Sequence, residues 1–189
     1  LEPSSVVATS REGGAYDVAV RFEGFRAGVE EQRDRLAASL RSGGGACDIL
    51  DEAGASRFWS EHGELRSAPP LRAKLAALPS SVEILSRDVL PGLAAAMPGL
   101  RFAWYATLGL GFVGAAPADP VDAAAAIGSA REKVTGLGGS LVLEAAPQAV
   151  RTLVDSWGPP SPALALMRSV KERLDPERRL GPGRFVGGI

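Results

Sequence analysis

The chain has 189 residues, of which 46% are hydrophobic and 23% charged, so one folded domain or two small fused halves with a sizeable core is expected. The formal charge of −1, from 21 basic and 22 acidic side chains, leaves no electrostatic footprint for nucleic acid or an acidic membrane surface. A single cysteine, Cys47, and a single histidine, His62, exclude an internal disulfide, a thiolate zinc site and any site needing two imidazoles.

In chain order, a short strand is expected over residues 6–9. A half-buried strand follows in Tyr16-Asp-Val-Ala-Val-Arg-Phe22, where large apolar residues alternate with others, and Gly13-Gly14 supplies the turn between the two. Val29, Leu36, Ala37 and Leu40 share one helical stripe, ended by Gly43-Gly44-Gly45. The pattern then predicts a strand over residues 46–50, burying Cys47 as an inert thiol. A helix capped by Asp51 runs through Phe58 and Trp59 to His62, with Gly63 as its stop and His62 on the surface.

The second half opens with a strand over residues 71–78. Ser80 and Glu83 have capping-box spacing ahead of a helix carrying Val82, Leu85, Val89 and Leu93, which Pro91 should kink or restart and Pro98-Gly99 should end. Two strands, residues 101–107 and 110–115, flank a turn at Gly109. Asp119-Pro120 then opens a helix that Gly136 closes, before a strand over residues 140–145. This order is that of a ferredoxin-like unit, so the fold class is α+β, with an antiparallel sheet carrying helices on one face. Residues 1–66 form the first half, 70–146 the ferredoxin-like second half, and 147–189 two helices and a tail. The element order of the first half suggests a duplicated unit, although no residue-level repeat accompanies it.

The longest uncharged stretch, residues 102–118, is interrupted by glycines and falls short of the roughly 20 apolar residues of a spanning helix, so no transmembrane segment and a cytoplasmic location are expected. The opening Leu1-Glu-Pro-Ser-Ser has no leader character, and the chain reads as a piece of something longer. Gly109-Leu-Gly-Phe-Val-Gly114 matches a dinucleotide fingerprint in letters only. No helix follows it directly, so a tight hairpin needing small residues is the better account. The pairs Glu30-Glu31 and Asp51-Glu52 diverge on their helices and form no acid/base dyad; no catalytic residue and no metal site emerge.

Strand alternation sends Arg21, Arg72, Lys74, Arg101 and Tyr105 away from the apolar residues of their own strands. If these faces coincide, the helix-free side of the sheet, uncovered within this chain, presents cations fit to hold a small carboxylate, with Arg72, Lys74 and Tyr105 as the substrate-binding set.

The run Met167-Arg-Ser-Val-Lys-Glu-Arg-Leu-Asp-Pro-Glu-Arg-Arg-Leu-Gly-Pro-Gly-Arg-Phe185 resembles the tail of FAD-linked oxidases of the vanillyl-alcohol-oxidase type. In that family a helix ends in Leu/Phe-Asp-Pro and the chain then turns through Asn-Pro-Gly-Arg/Lys. Arg21-Phe-Glu-Gly24, Trp157-Gly158 and the closing Arg184-Phe-Val-Gly-Gly-Ile189 are similar to one branch, the FAD-binding subunits of bacterial glycolate oxidases. The resemblance implies a substrate or cap domain that covers the FAD of an N-terminal FAD-binding domain absent from these residues. Pro182, Gly183 and Arg184 would then lie toward the cofactor. It further implies a second flavin subunit and an iron–sulfur subunit as partners, 2-hydroxyacid oxidation by the whole, and association with the inner membrane face through those partners. Gly181 stands where the family has Asn. The His-x-Gly-Asp-Gly-Asn segment of related catalytic subunits has no His, Asp or Asn counterpart in Tyr105-Ala-Thr-Leu-Gly-Leu-Gly-Phe112, so its metal-assisted chemistry is not transferred. The rival reading is a stand-alone ferredoxin-like module binding a small anion or a protein partner.

Overall fold

A computed structural model describes residues 1–11 and 15–189; the expected Gly13-Gly14 turn lies outside them. Six strands, β1 (Ser5–Ser10), β2 (Tyr16–Arg21), β3 (Leu71–Ala76), β4 (Arg101–Tyr105), β5 (Leu110–Ala115) and β6 (Ser140–Ala145), form one antiparallel sheet in the order β2-β1-β4-β5-β3-β6. Within it β4-β5-β3-β6 is the strand order of the ferredoxin-like unit expected from the second half. The first half extends the same sheet by the β1–β2 hairpin and does not build a second four-stranded unit, so the expected duplication is corrected. Residues 46–50 form no strand, and Cys47 is a half-buried free thiol. Five alternating residues with Ile49 and Leu50 about half exposed bury too little to hold a strand that has no partner.

The helices follow their local signals. In α1 (Arg26–Ser42) the helix ends at Gly43. In α2 (Glu52–Glu64) the Asp51 carboxylate accepts the Gly54 N–H, and the helix runs one residue past Gly63. The 3₁₀ turn Pro79–Ser81 precedes α3 (Val82–Ile84), a π-helical turn Leu85–Val89 and α4 (Leu90–Ala96). The Ser80/Glu83 box does not form, because the turn starts at Pro79 with Leu78 at the cap position, two residues too early for Ser80 to sit there. Pro91 falls in the first turn of the restarted helix, where its missing N–H is harmless. Asp119 accepts the Val121 and Asp122 amides ahead of α5 (Pro120–Gly136), followed after β6 by α6 (Gln148–Arg151) and α7 (Leu164–Leu174). No helix among the described residues is long and apolar enough to cross a membrane.

One sheet face carries the main core. Leu71, Leu75, Phe102, Trp104, Val113 and Leu141 pack there against Leu85, Val89, Leu93, Ile127, Val134 and Val150. Each such side chain, fully buried, contributes roughly 1.5–3 kcal/mol. The other face was expected to be bare. It carries a smaller core instead, in which Val7, Ala103 and Phe112 of the sheet meet Leu65, with Phe58 and Trp59 of α2 beside them. Phe58, His62 and Leu65 recur at helical spacing, and this stripe docks α2 on the side opposite α3–α6. Helices therefore cover both faces.

The three glycines of the fingerprint-like run serve packing. Gly109 turns the β4–β5 hairpin at φ 62, and a Cβ on Gly111 would lie 2.9 Å from Phe102 and 3.0 Å from Trp104. A Cβ on Gly114 would meet Leu65 and Pro69 at 2.7 Å. Gly111→Val is accordingly expected to destabilise the fold by about 1–3 kcal/mol through overpacking. A urea midpoint left at the wild-type value would contradict this.

Candidate functional site

The register brings the sequence-selected cations to one face. Arg21 lies opposite Ser5 and Ala19 opposite Val7, while Val7 lies opposite Tyr105. Lys74 faces Phe112 and Arg72 faces Gly114 across β3–β5, so all five polar residues share the face on which α2 sits. Their side chains are unequally free. Arg72 Nη1 donates to the Ser67 and Pro69 carbonyls at 3.0 and 2.8 Å, and Arg101 Nη2 donates to the Glu61 carbonyl at 3.1 Å. Arg21 pairs with Glu23 at 2.8 Å and lies 5.4 Å from the Trp59 ring centre. Lys74 is exposed and without a partner among the described residues. The structure thus gathers the set on one face but commits all three of its guanidinium groups locally, and it covers Tyr105 with α2.

His62, expected on the surface, is buried. Its Nε2 and the Tyr105 hydroxyl are hydrogen-bonded at 2.6 Å, its ring stacks on Phe58, and Trp59 and Tyr105 meet it edge-on. Burial, then the charges of Arg101 and Arg66, push the imidazole below its usual pKa; burial raises Tyr105, with Arg66 opposing. Arg66 itself lies over the Phe112 ring at 4.3 Å. The pair is a neutral hydrogen-bonded joint between α2 and β4. The spacings of three and four from Trp59 and Phe58 are the sequence signal, passed over in favour of a surface position, that would have found His62 on the apolar stripe.

The second cluster is the C-terminal tail, whose Pro176, Gly181, Pro182, Gly183, Gly187 and Gly188 argue from sequence for an extended strap without helix. It is a chain of turns instead, with positive φ at Arg178, Gly181, Gly183, Gly187 and Gly188 and a closing 3₁₀ turn Val186–Gly188. Asp175, at the end of α7, organises it: its carboxylate accepts the Arg179 and Leu180 amides at 2.8 and 3.0 Å and pairs with Lys171, whose ammonium also donates to the Leu180 carbonyl. The Lys171 hydrogen bond and the backbone amides pull the Asp175 carboxyl down to about 2. Its support is therefore complete above about pH 4 and lost as the pH falls through about 2, a loss expected as loosening of the tail in amide exchange at low pH. Farther along, Trp157 Nε1 donates to the Arg184 carbonyl and its ring packs edge-on against Phe185, while Arg168 donates to the Gly187 carbonyl.

Between α7 and the tail runs a groove of about 650 Å³, walled by Leu166, Val170, Leu174, Leu180 and Phe185, with Arg184 at its rim. Leu166, Leu174 and Leu180 are 68%, 76% and 71% exposed, and α7 has no buried residue. Pro182, Gly183 and Arg184 are exposed beside the groove, and the Arg184 guanidinium has no partner among the described residues. The set of Arg72, Lys74 and Tyr105 thus lies on the α2 face of the sheet, and the set of Pro182, Gly183 and Arg184 lies beside the groove along α7. Compared with protein-family models and with curated proteins, the chain matches none of them.

Proposed function

We propose that this chain is the substrate or cap domain of an FAD-dependent oxidase or dehydrogenase subunit acting on 2-hydroxyacids of the glycolate type, working with a flavin-binding domain outside these residues. The observation that carries the reading is the α7–tail groove. A row of exposed leucines beside the Pro182-Gly183-Arg184 turn, on the segment that resembles the flavin-oxidase tail, is an apolar surface awaiting a cover. The flavin-binding domain is that cover. Partner subunits carrying a second flavin and an iron–sulfur centre, at the cytoplasmic face of a membrane, complete the assembly.

The fingerprint-like run does not serve as a cradle for FAD: Gly109, Gly111 and Gly114 are taken up by a turn and by packing against Phe102, Trp104, Leu65 and Pro69. What this chain offers the cofactor or its carrier is Arg184, whose planar fork suits a carbonyl, phosphate or carboxylate. For the substrate it offers Lys74, since among the described residues Arg72 is held by the Ser67 and Pro69 carbonyls and Tyr105 by His62 under α2. In the flavin-containing protein, Arg184→Ala is expected to lower flavin occupancy or turnover while leaving Tm within about 2 °C, since an exposed side chain adds little stability. Unchanged flavin content and kinetics would reduce the tail to a packing element. The gene upstream of the Leu1 codon tests the whole reading: about 200 residues of flavin-binding domain support it, and a start codon immediately before Leu1 overturns it.

A further inference from the structure

The two edges of the sheet differ. Beyond β6, Leu143 donates its amide to the Ser156 carbonyl at 2.8 Å, so that edge is partly capped by the following loop. Beyond β2 no element follows among the described residues. Natural edges are commonly blunted by Lys, Pro or a bulge, yet β2 holds no Lys or Pro and its register with β1 is unbroken.

Ladder phase shows which groups of β2 face outward. In an antiparallel pair, opposed residues alternate between exchanging both backbone hydrogen bonds and exchanging none. Arg11 N donates to the Ala15 carbonyl at 2.8 Å, and the register opposes Thr9 to Asp17 and Val7 to Ala19. Asp17, Ala19 and Arg21 therefore bond back to β1. The Ala106 N–H donating to the Val6 carbonyl fixes the same phase from the other side of β1. The N–H and C=O groups of Tyr16, Val18 and Val20 are left pointing away from the sheet, and Val18 is 65% exposed.

Read along that edge, the sequence is complementary to itself. A second copy laid antiparallel about Ala19 sets Val18 against Val20, Tyr16 against Phe22 and Asp17 against Arg21, each twice by the two-fold axis. Val18 and Val20 are outward-bonding residues, so the backbone hydrogen bonds close in this register. Moving the centre to Val18 opposes Asp17 to Ala19, and moving it to Asp17 opposes two carboxylates. Charge selects the Ala19 register. Asp17 pairs with Arg11, and Arg21 with Glu23, but all four side chains are substantially exposed, and such pairs exchange partners readily.

We propose that β2 is a dimerisation edge: two copies of this chain join β2 to β2 about Ala19, making one continuous sheet with Asp17–Arg21 pairs on both sides of the axis. This holds whether or not the chain serves a flavoenzyme. A strand-to-strand contact is smaller than a standard interface, so association should depend on concentration, rising between about 1 and 100 μM in sedimentation equilibrium. Asp17→Arg and Arg21→Asp each place like charges opposite one another twice, and each is expected to weaken association about tenfold or more. An equimolar mixture of the two variants restores both opposite-charge pairs and should recover wild-type association within about threefold. Circular dichroism and thermal melting confirm that each variant is folded. A wild-type chain that stays monomeric at about 100 μM overturns the proposal. So does association indifferent to either charge reversal, or a mixture that does not recover.

Discussion

Arg131→Ala is expected to cost about 2–4 kcal/mol, the sum of lost charge-assisted hydrogen bonds and lost packing of the aliphatic stem. Arg131 sits on α5 and is 8% exposed. Its Nε donates to the Leu141 carbonyl of β6 at 3.0 Å, and Nη2 donates to the Ser156 carbonyl at 3.3 Å. Ser156 also accepts from Leu143, and Asp155 beside it collects the Trp157 and Gly158 amides, so one guanidinium fastens helix, edge strand and loop together. Gly158 lets the loop approach, since a Cβ there would lie 2.7 Å from Arg131 Cδ. Burial lowers the Arg131 pKa and the charge of Asp155 opposes the shift, yet arginine stays charged at any ordinary pH. Arg131→Lys should recover only part of the loss, because an ammonium on a flexible stem does not reproduce the fork. Urea denaturation with an unchanged slope measures both; a cost for Arg131→Ala below about 1 kcal/mol would show that the carbonyls find water instead.

Acidification from pH 7.5 to 5.5 is expected to weaken the fold through His62, the one histidine of the chain. Burial first, then Arg101 and Arg66, hold the folded imidazole below the value near 6.5 that it takes when unfolded. Below about pH 6.5 the unfolded chain therefore binds a proton that the folded chain resists, and the free energy of unfolding falls. The contribution is complete above that value and disappears as the pH drops through the folded pKa. His62→Ala should cost about 2–4 kcal/mol at pH 7.5, by opening a space between Phe58 and Trp59 and leaving the Tyr105 hydroxyl unpaired. It should also flatten the pH dependence between 7.5 and 5.5. Urea titrations of both proteins across that window decide the matter, and parallel slopes would assign the acid sensitivity elsewhere.

The parts of the fold readable in advance are those fixed by neighbours in sequence. Asp119-Pro120 announces α5, Asp51 announces α2, and the period-two alternation of β2, β3 and β4 sorts their side chains to the correct faces. The common face of Arg21, Arg72, Lys74, Arg101 and Tyr105 follows from that alternation once the register is known. Three-dimensional partners were not readable. Nothing local to α2 says which side of a distant sheet it will cover, and the charges of Glu61 and Glu64 outweighed the Phe58 and Trp59 spacing that favours burial of His62. Nor does Arg131, amid the alanines and charges of α5, reveal that two carbonyls await it. The tail shows the same division: its glycines and prolines foretold an absence of helix, whereas its coiling on Asp175 depends on a carboxylate meeting amides four and five residues ahead.

The π-helical turn before Pro91 carries a consequence for how this sequence can drift. In that turn the Leu90 amide reaches back five residues to the Leu85 carbonyl, the mark of one residue more than a regular helix would hold. The surplus shifts the helical phase, so that Leu85 and Val89 before it and Leu90, Leu93 and Met97 after it all reach the main core. It also relieves Pro91, whose ring would crowd the carbonyl four residues earlier in an unbroken helix. Extra residue and proline thus act as one structural unit. A deletion in the Leu85–Val89 turn that kept Pro91 would be strained, and so would its reversal in a lineage already shortened, whereas losing both together leaves an ordinary helix. Length and residue identity are coupled at this point of the chain.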